Sequence, residues 1–221
     1  MEGWKDDGSD RKKLPPQRRL VQGTSRIEGM PDARKGFFVD PKELREVGKS
    51  MEVVLLEVRT TRTLFWDKKD PKQANMKGVR CYSEDGIVPS PRLTSPVSAV
   101  CDGCEFQNKD IVARMFCYDV QDSKKAGEPV IFTYEAKSTG LSPVRNYVGS
   151  VRTQKLNARD FKFTLTSKEN SNDKGAWYTA DFTNVEKVPS NMKADIEAAY
   201  QSLNVEEDAA FEGDTDPDVP F

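Results

Sequence analysis

Opposite charges are segregated along this chain, and the segregation limits how much of it can pack into a core. Of 221 residues, 34 are Lys or Arg and 36 are Asp or Glu, a formal net charge of −2. Residues 204–221 hold seven acids (Glu206, Glu207, Asp208, Glu212, Asp214, Asp216 and Asp218) and no cation, which leaves +5 on the first 203 residues. Residues 11–26 carry Arg11, Lys12, Lys13, Arg18, Arg19 and Arg26 with no acid. Blocks of like charge that also contain Pro15, Pro16 and Gly23, and few large apolar groups, bury too little surface to offset the entropy of ordering them. The expected organisation is a disordered basic arm over 1–35, a folded body over 36–203 and a disordered acidic tail over 204–221.

Within the body, strand signals dominate. Met51–Trp66 is a long apolar and β-branched run, and Ile111–Val120, Pro129–Ala136, Asp160–Ser167 and Ala176–Val185 are further stretches of strand length bounded by turn formers. The last two form a hairpin across the polar loop Lys168–Gly175. Leu141–Leu156 reads as a helix, with Ser142 as N-cap and Pro143 at the first helical position. Asn191–Leu203 reads as a second, C-terminal helix with Met192, Ile196, Ala199, Tyr200 and Leu203 on one stripe. About five strands with one helix inserted before the last hairpin suit a mainly β fold, a five-stranded Greek-key barrel of the oligonucleotide-binding type. An open α+β sandwich is the alternative.

The chain has no histidine. That excludes a Ser-His-Asp triad, a Cys-His pair, histidine-ligated metals and a histidine general base. The four cysteines follow the spacing Cys81-x19-Cys101-x2-Cys104-x12-Cys117. Two thiolates separated by two residues can bind one ion, the glycine in Cys101-Asp-Gly-Cys104 permits the tight turn, and two more cysteines would complete a tetrahedral set of soft ligands. One structural zinc per chain is therefore expected at Cys81, Cys101, Cys104 and Cys117, stapling the proline-rich loop between them. Free or buried thiols, an iron–sulfur cluster and a disulfide pair are the alternatives. A catalytic zinc is disfavoured, because four cysteines close the coordination shell.

Aromatic residues stand beside cations in the strands: Arg62 with Phe65 and Trp66, Arg80 with Tyr82, Arg114 with Phe116 and Tyr118, Lys162 between Phe161 and Phe163, and the pair Trp177-Tyr178. Single-stranded nucleic acid is held by this combination, since cations follow the phosphates while flat rings stack on unpaired bases. Strand alternation puts Arg114, Phe116 and Tyr118 on one face, opposite an apolar face that reads as core, and so predicts that the first face meets ligand or solvent. In Phe161–Leu165 the aromatics read as core and Lys162 points outward. The opposing view is that strand aromatics are ordinary core residues.

The last residues are the most specific motif. Gly213-Asp-Thr-Asp-Pro-Asp-Val-Pro-Phe221 is an acidic string ending in an apolar plug and a terminal carboxylate, which a partner can seat in a pocket with a basic rim. Asp214, Asp216, Asp218, Val219, Pro220 and Phe221 together resemble the acidic tip of bacterial single-stranded DNA-binding proteins, which ends in aspartates followed by Ile-Pro-Phe; Val219 replaces the isoleucine. That resemblance implies recruitment of replication, recombination and repair enzymes. It covers about eight residues, and the body does not look like the bacterial protein. The segment Cys81 to Pro89 followed by Cys101-Asp-Gly-Cys104 is similar to phage- and plasmid-encoded single-stranded DNA-binding proteins, which implies the same barrel class with a metal-stapled loop.

The expected function is therefore a non-catalytic, sequence-tolerant single-stranded DNA-binding protein, monomeric or a small homo-oligomer. An RNA-binding or transcription factor with a zinc knuckle is one alternative. A metal-dependent nuclease using Asp67, Asp70, Glu84 or Asp85 is another. A phosphate-binding loop is excluded at Gly48-Lys49-Ser50, because Glu43 stands where that motif needs glycine. No apolar run reaches the roughly 20 residues of a membrane span, and the first residues are too polar for a secretory signal. A cytoplasmic setting is expected, that of a bacterial host if the protein is phage-encoded.

Overall fold

The computed structural model describes residues 15–23, 27–66, 69–72, 75, 79–83, 86–90, 93, 96–101, 103–104, 111–173 and 175–203. The fold is mainly β: strands β1 (Gln17–Leu20), β2 (Phe38–Asp40), β3 (Arg45–Gly48), β4 (Ser50–Phe65), β5 (Val79–Ser83), β6 (Ile111–Asp119), β7 (Ile131–Lys137), β8 (Phe161–Asn172) and β9 (Gly175–Lys187), with helices α1 (Val120–Ala126), α2 (Leu141–Thr153) and α3 (Lys193–Ser202). The strands form one curled, half-barrel sheet in the order β3-β2-β1-β7-β6-β4-β8-β9, and β5 pairs with β4 off this path. The β1–β7 pair is parallel and every other pair is antiparallel.

β4 organises the sheet. Its run Val53-Val-Leu-Leu56 has no polar alternation because both faces are covered, as expected of a strand buried on two sides. Met51, Val53 and Leu55 face the inner core, whereas Val54 and Leu56 face an outer cluster. A bulge between Leu55 and Glu57 then shifts the register by one residue, so that Val58 returns to the inner core opposite Met115.

α2 fills one side of the inner core with Leu141, Val144 and Tyr147, the three- and four-residue spacing of an amphipathic helix. It begins at Leu141, immediately after a short 3-10 turn over Ser138–Gly140, so Pro143 lies inside the first turn, where its missing N–H removes no helical bond. α3 lays Ile196 and Ala199 on the outer cluster, with Leu203 just past its end, against Val54, Leu56, Phe116 and Tyr118.

Residues 15–35 depart from expectation. The disordered arm predicted to reach residue 35 is instead a packed element from Pro15 onward among the described residues, with β1 inserted beside β7 and Val21, Ile27 and Val39 forming a small core of their own. Arg18, expected to be solvated, is 1% exposed. Its guanidinium donates to the Asp119 carboxylate and to Asp122 Oδ2 at 2.8 Å, and lies 4.2 Å from the Phe132 ring centroid. Asp119 is also the N-cap of α1, accepting from the Asp122 amide at 2.7 Å.

The β8–β9 hairpin is longer than its apolar residues suggest. The ladder continues through the expected loop to the pair Asn172↔Gly175. Polar rungs hold it: the Thr166 and Thr183 hydroxyls lie 3.2 Å apart, and Asn170 Nδ2 donates to Thr179 Oγ1 at 2.9 Å. Near its tip, the Gln22 side chain makes two bonds to the Tyr178 backbone, donating from Nε2 to the carbonyl at 2.9 Å and accepting from the amide at Oε1 at 2.8 Å. This amide joins the residues after β1 to β9 and narrows the open side of the sheet. Gly36, at φ 73°, sits against the Tyr178 ring, where an added Cβ would lie 2.6 Å from Cε1.

Candidate nucleic-acid interface

The far end of β4 and the whole of β5 make a two-stranded arm. Arg62 pairs with Ser83, Thr63 with Tyr82, Leu64 with Cys81 and Phe65 with Val79. This register brings Arg62, Phe65 and Trp66 onto one arm with Arg80 and Tyr82. Phe65 is 51% exposed, a large apolar ring left in water. The Arg80 guanidinium lies 5.7 Å from the Trp66 ring centroid, within cation–π range. The following loop is tied to the arm by Ser90 N donating to Tyr82 O at 2.8 Å and Arg62 Nη1 to Cys101 O at 3.0 Å, and closed on itself by Cys101 N donating to Ile87 O at 2.7 Å. Ile87, Val88 and Val100 in that loop are also exposed. Aromatic rings, cations and exposed apolar groups thus coincide here.

The expectation for β6 is corrected. Phe116 and Tyr118 do share a face with Arg114, but α3 covers their part of it, leaving them 1% and 4% exposed. Neither ring can stack on a base while α3 is in place. Arg114 donates to Glu135 Oε1 from Nε at 3.0 Å and Nη2 at 2.8 Å. Burial would raise the Glu135 carboxyl, but the charges of Lys137 and Arg114 outweigh it and hold it below the ordinary carboxylate range. On β8, Phe163 is core as expected, and Lys162 is held between Glu52 and Glu186. The hydrogen bond to Glu52 is the main reason its ammonium titrates above the usual lysine value. Both cations are thus engaged by carboxylates within the sheet.

Trp177 and Tyr178 lie on β9 near the hairpin tip, beyond the start of β4, whereas the aromatic arm lies at the end of β4. Trp177 is half-buried, and its indole N–H is enclosed with no partner among the described residues. The Tyr178 backbone is held by Gln22, and its partly exposed ring lies against Gly36. Close to it in sequence order from Gly36, Phe37 is a cation–aromatic site that the sequence reading missed: the Arg34 guanidinium stands 3.8 Å and the Lys49 ammonium 5.6 Å from its ring centroid. The adjacency Arg34-Lys-Gly-Phe37 carried the signal but straddles the boundary set at residue 35.

A four-thiolate zinc site does not fit this arrangement. Cys81 stands opposite Leu64 and Cys117 opposite Leu55, on either side of β4. Nine residues of strand put about 30 Å between those positions. Cys117 is fully buried in the inner core among Leu55, Met115 and Phe132. Cys101 and Cys104 do share a turn, with Cys104 N donating to Cys101 O at 3.4 Å and Gly103 at φ 77°. Among the described residues, no three Cys, Asp or Glu side chains gather closely enough to hold a metal ion.

The phosphate-loop exclusion at Gly48-Lys49-Ser50 agrees with the fold, where these residues join two strands rather than a strand and a helix. The expected partner-binding residues Asp214, Asp216, Asp218, Val219, Pro220 and Phe221 lie outside the described residues. Among the described residues, no helix is long and apolar enough to cross a membrane. Compared with known proteins, the chain matches no family model, no curated protein and no solved structure.

Proposed function

We propose that this protein is a non-catalytic, sequence-tolerant single-stranded DNA-binding protein built on an oligonucleotide-binding barrel. The carrying observation is where the aromatic arm falls in the strand order. The path β9-β8-β4-β6-β7, with α2 between β7 and β8, is compatible with the five strands and inserted helix of that barrel. In such barrels the connection between the first two strands and that between the last two border the ligand. Counting β4 and β6 as the first two, the connection between them contains β5, Trp66, Arg80 and Tyr82, beside Arg62 and Phe65 at the end of β4. The turn joining β8 and β9 is the second connection, and Trp177 lies close to it. The acidic segment ending in Phe221 would recruit replication and recombination enzymes, in a cytoplasmic setting.

An anisotropy titration with labelled single strand and duplex, with and without magnesium, tests this reading. Single strand should bind much more tightly, stay intact, and weaken steeply with salt. Phe65→Ala and Trp66→Ala should each weaken that binding by about 1–3 kcal/mol, the worth of one base stack, without lowering thermal stability. Phe116→Ala should instead lower stability. Equal affinity for both strand types, or cleavage of the strand, would overturn the proposal.

A further inference from the structure

The exposed side of α2 differs from the rest of the surface. Residues 136–159 contain no acid, in a chain where about one residue in six is Asp or Glu, yet they carry Lys137, Arg145, Arg152, Lys155 and Arg159. Several arginines elsewhere are matched with carboxylates: Arg34 with Glu46, Arg45 with Glu43 and Asp122, Arg59 with Glu57, Arg114 with Glu135. Lys137 and Arg159, at the two ends of the acid-free stretch, are likewise matched, with Glu135 and Glu197. Between them, Arg145, Arg152 and Lys155 are exposed and make no ion pair or side-chain hydrogen bond with any described residue.

Their placement is ordered. Arg145 and Arg152 are seven residues apart, two turns of one flank of α2, about 10 Å along its axis. Lys155 stands two residues past the helix end. Ser142, Asn146, Gly149 and Ser150 beside them are exposed and small or polar, and a Cβ on Gly149 would meet nothing within 4 Å. A chain of anions can therefore approach closely along this flank. Leu141, Val144 and Tyr147 anchor the helix in the inner core, so Arg145 and Arg152 sit on a fixed element rather than on a loop.

We infer that this face of α2 is a second binding track for the phosphate backbone of single-stranded nucleic acid, with Arg145, Arg152 and Lys155 each neutralising one phosphate. The inference rests on the proposed function and adds a surface apart from the aromatic arm. It supplies charge without rings, so it holds the backbone of a strand whose bases are stacked elsewhere.

The test is the triple variant Arg145→Gln, Arg152→Gln, Lys155→Gln in the full chain. Glutamine keeps helix propensity, and the changes are exposed, so thermal stability should be unchanged. A second variant with Lys42→Gln, Lys124→Gln and Lys187→Gln removes the same charge from exposed positions elsewhere. Single strands long enough to leave the arm should bind the α2 variant about 100-fold more weakly at 0.1 M salt, and the slope of log affinity against log salt should fall by about 2, the loss of three phosphate contacts. The control should keep the parent slope. Parent-like binding by the α2 variant, equal weakening in the control, or tighter DNA binding by the α2 variant, as when the face holds the acidic tail instead, would overturn the inference while leaving the proposed function intact. Failure of the parent protein to bind single strand would overturn both.

Discussion

The Arg18 guanidinium donates to the Asp119 carboxylate across 101 residues of sequence, with both side chains almost wholly withdrawn from water. Asp122 accepts from both Arg18 and Arg45, and Arg45 also pairs with Glu43, so one charged network ties β1, the β2–β3 hairpin and the start of α1 together. Met51 Sδ and the Phe132 ring complete the surroundings of Arg18.

Removing one partner of such a pair strands the other charge in a dry site. Arg18→Ala should therefore destabilise the protein by about 3–5 kcal/mol. Urea unfolding monitored by circular dichroism measures this. A loss below about 1 kcal/mol would mean that the pair is solvated in the folded protein.

Acid should weaken the fold through the same network. Burial alone would raise the Asp122 carboxyl, but the hydrogen bond and charge of Arg45, with Arg18 and Lys125, outweigh it and hold it below the ordinary value. Glu135 is lowered as well. Because these groups titrate lower in the folded than in the unfolded chain, their stabilisation is complete above the unfolded values of about 4 and is lost as pH falls through the folded ones. Unfolding midpoints measured from pH 7 to pH 2.5 should drop below about pH 4.5. Neutralising Asp122 with Asn should flatten that drop; an unchanged profile would assign it to other carboxylates.

Thiol chemistry should divide the cysteines. Cys117 should resist alkylation in the native protein and react only on unfolding, while Cys81 and Cys104, both partly exposed, should label readily. Mass spectrometry of the labelled peptides reads this directly. Metal content by elemental analysis should be the same in Cys117→Ala as in the parent; loss of one zinc with that substitution would restore the four-cysteine site.

What could be read in advance follows from the range of the forces involved. The strands β4, β6, β7, β8 and β9 and the helices α2 and α3 were legible because local patterns of apolar and β-branched residues specify them. β1 was not, since Gln17-Arg-Arg-Leu20 has no local reason to pack and is held by acids 101 and 104 residues distant. Adjacency singled out Arg62, Phe65, Trp66 and Arg80, but the pair that forms, Arg80 with Trp66, spans 14 residues and comes from the β4–β5 register. Alternation correctly sorted Phe116 and Tyr118 onto one face of β6, but it cannot say that α3 returns to cover that face. Cysteine spacing likewise reports separation along the chain, not the strand register that carries Cys117 into the core.

The joint between Gln22 and Tyr178 bears on how the protein comes into being. The two residues are 156 positions apart, so at about 5–20 residues per second the ribosome delivers the second roughly 10–30 s after the first. Through that interval the segment after β1 has no β9 to meet, and β7, its parallel neighbour, is itself made late. β1 has its neighbour β2 early, but its joints to β7 and β9 must wait, and the newborn protein carries an unclosed seam until the β8–β9 hairpin emerges.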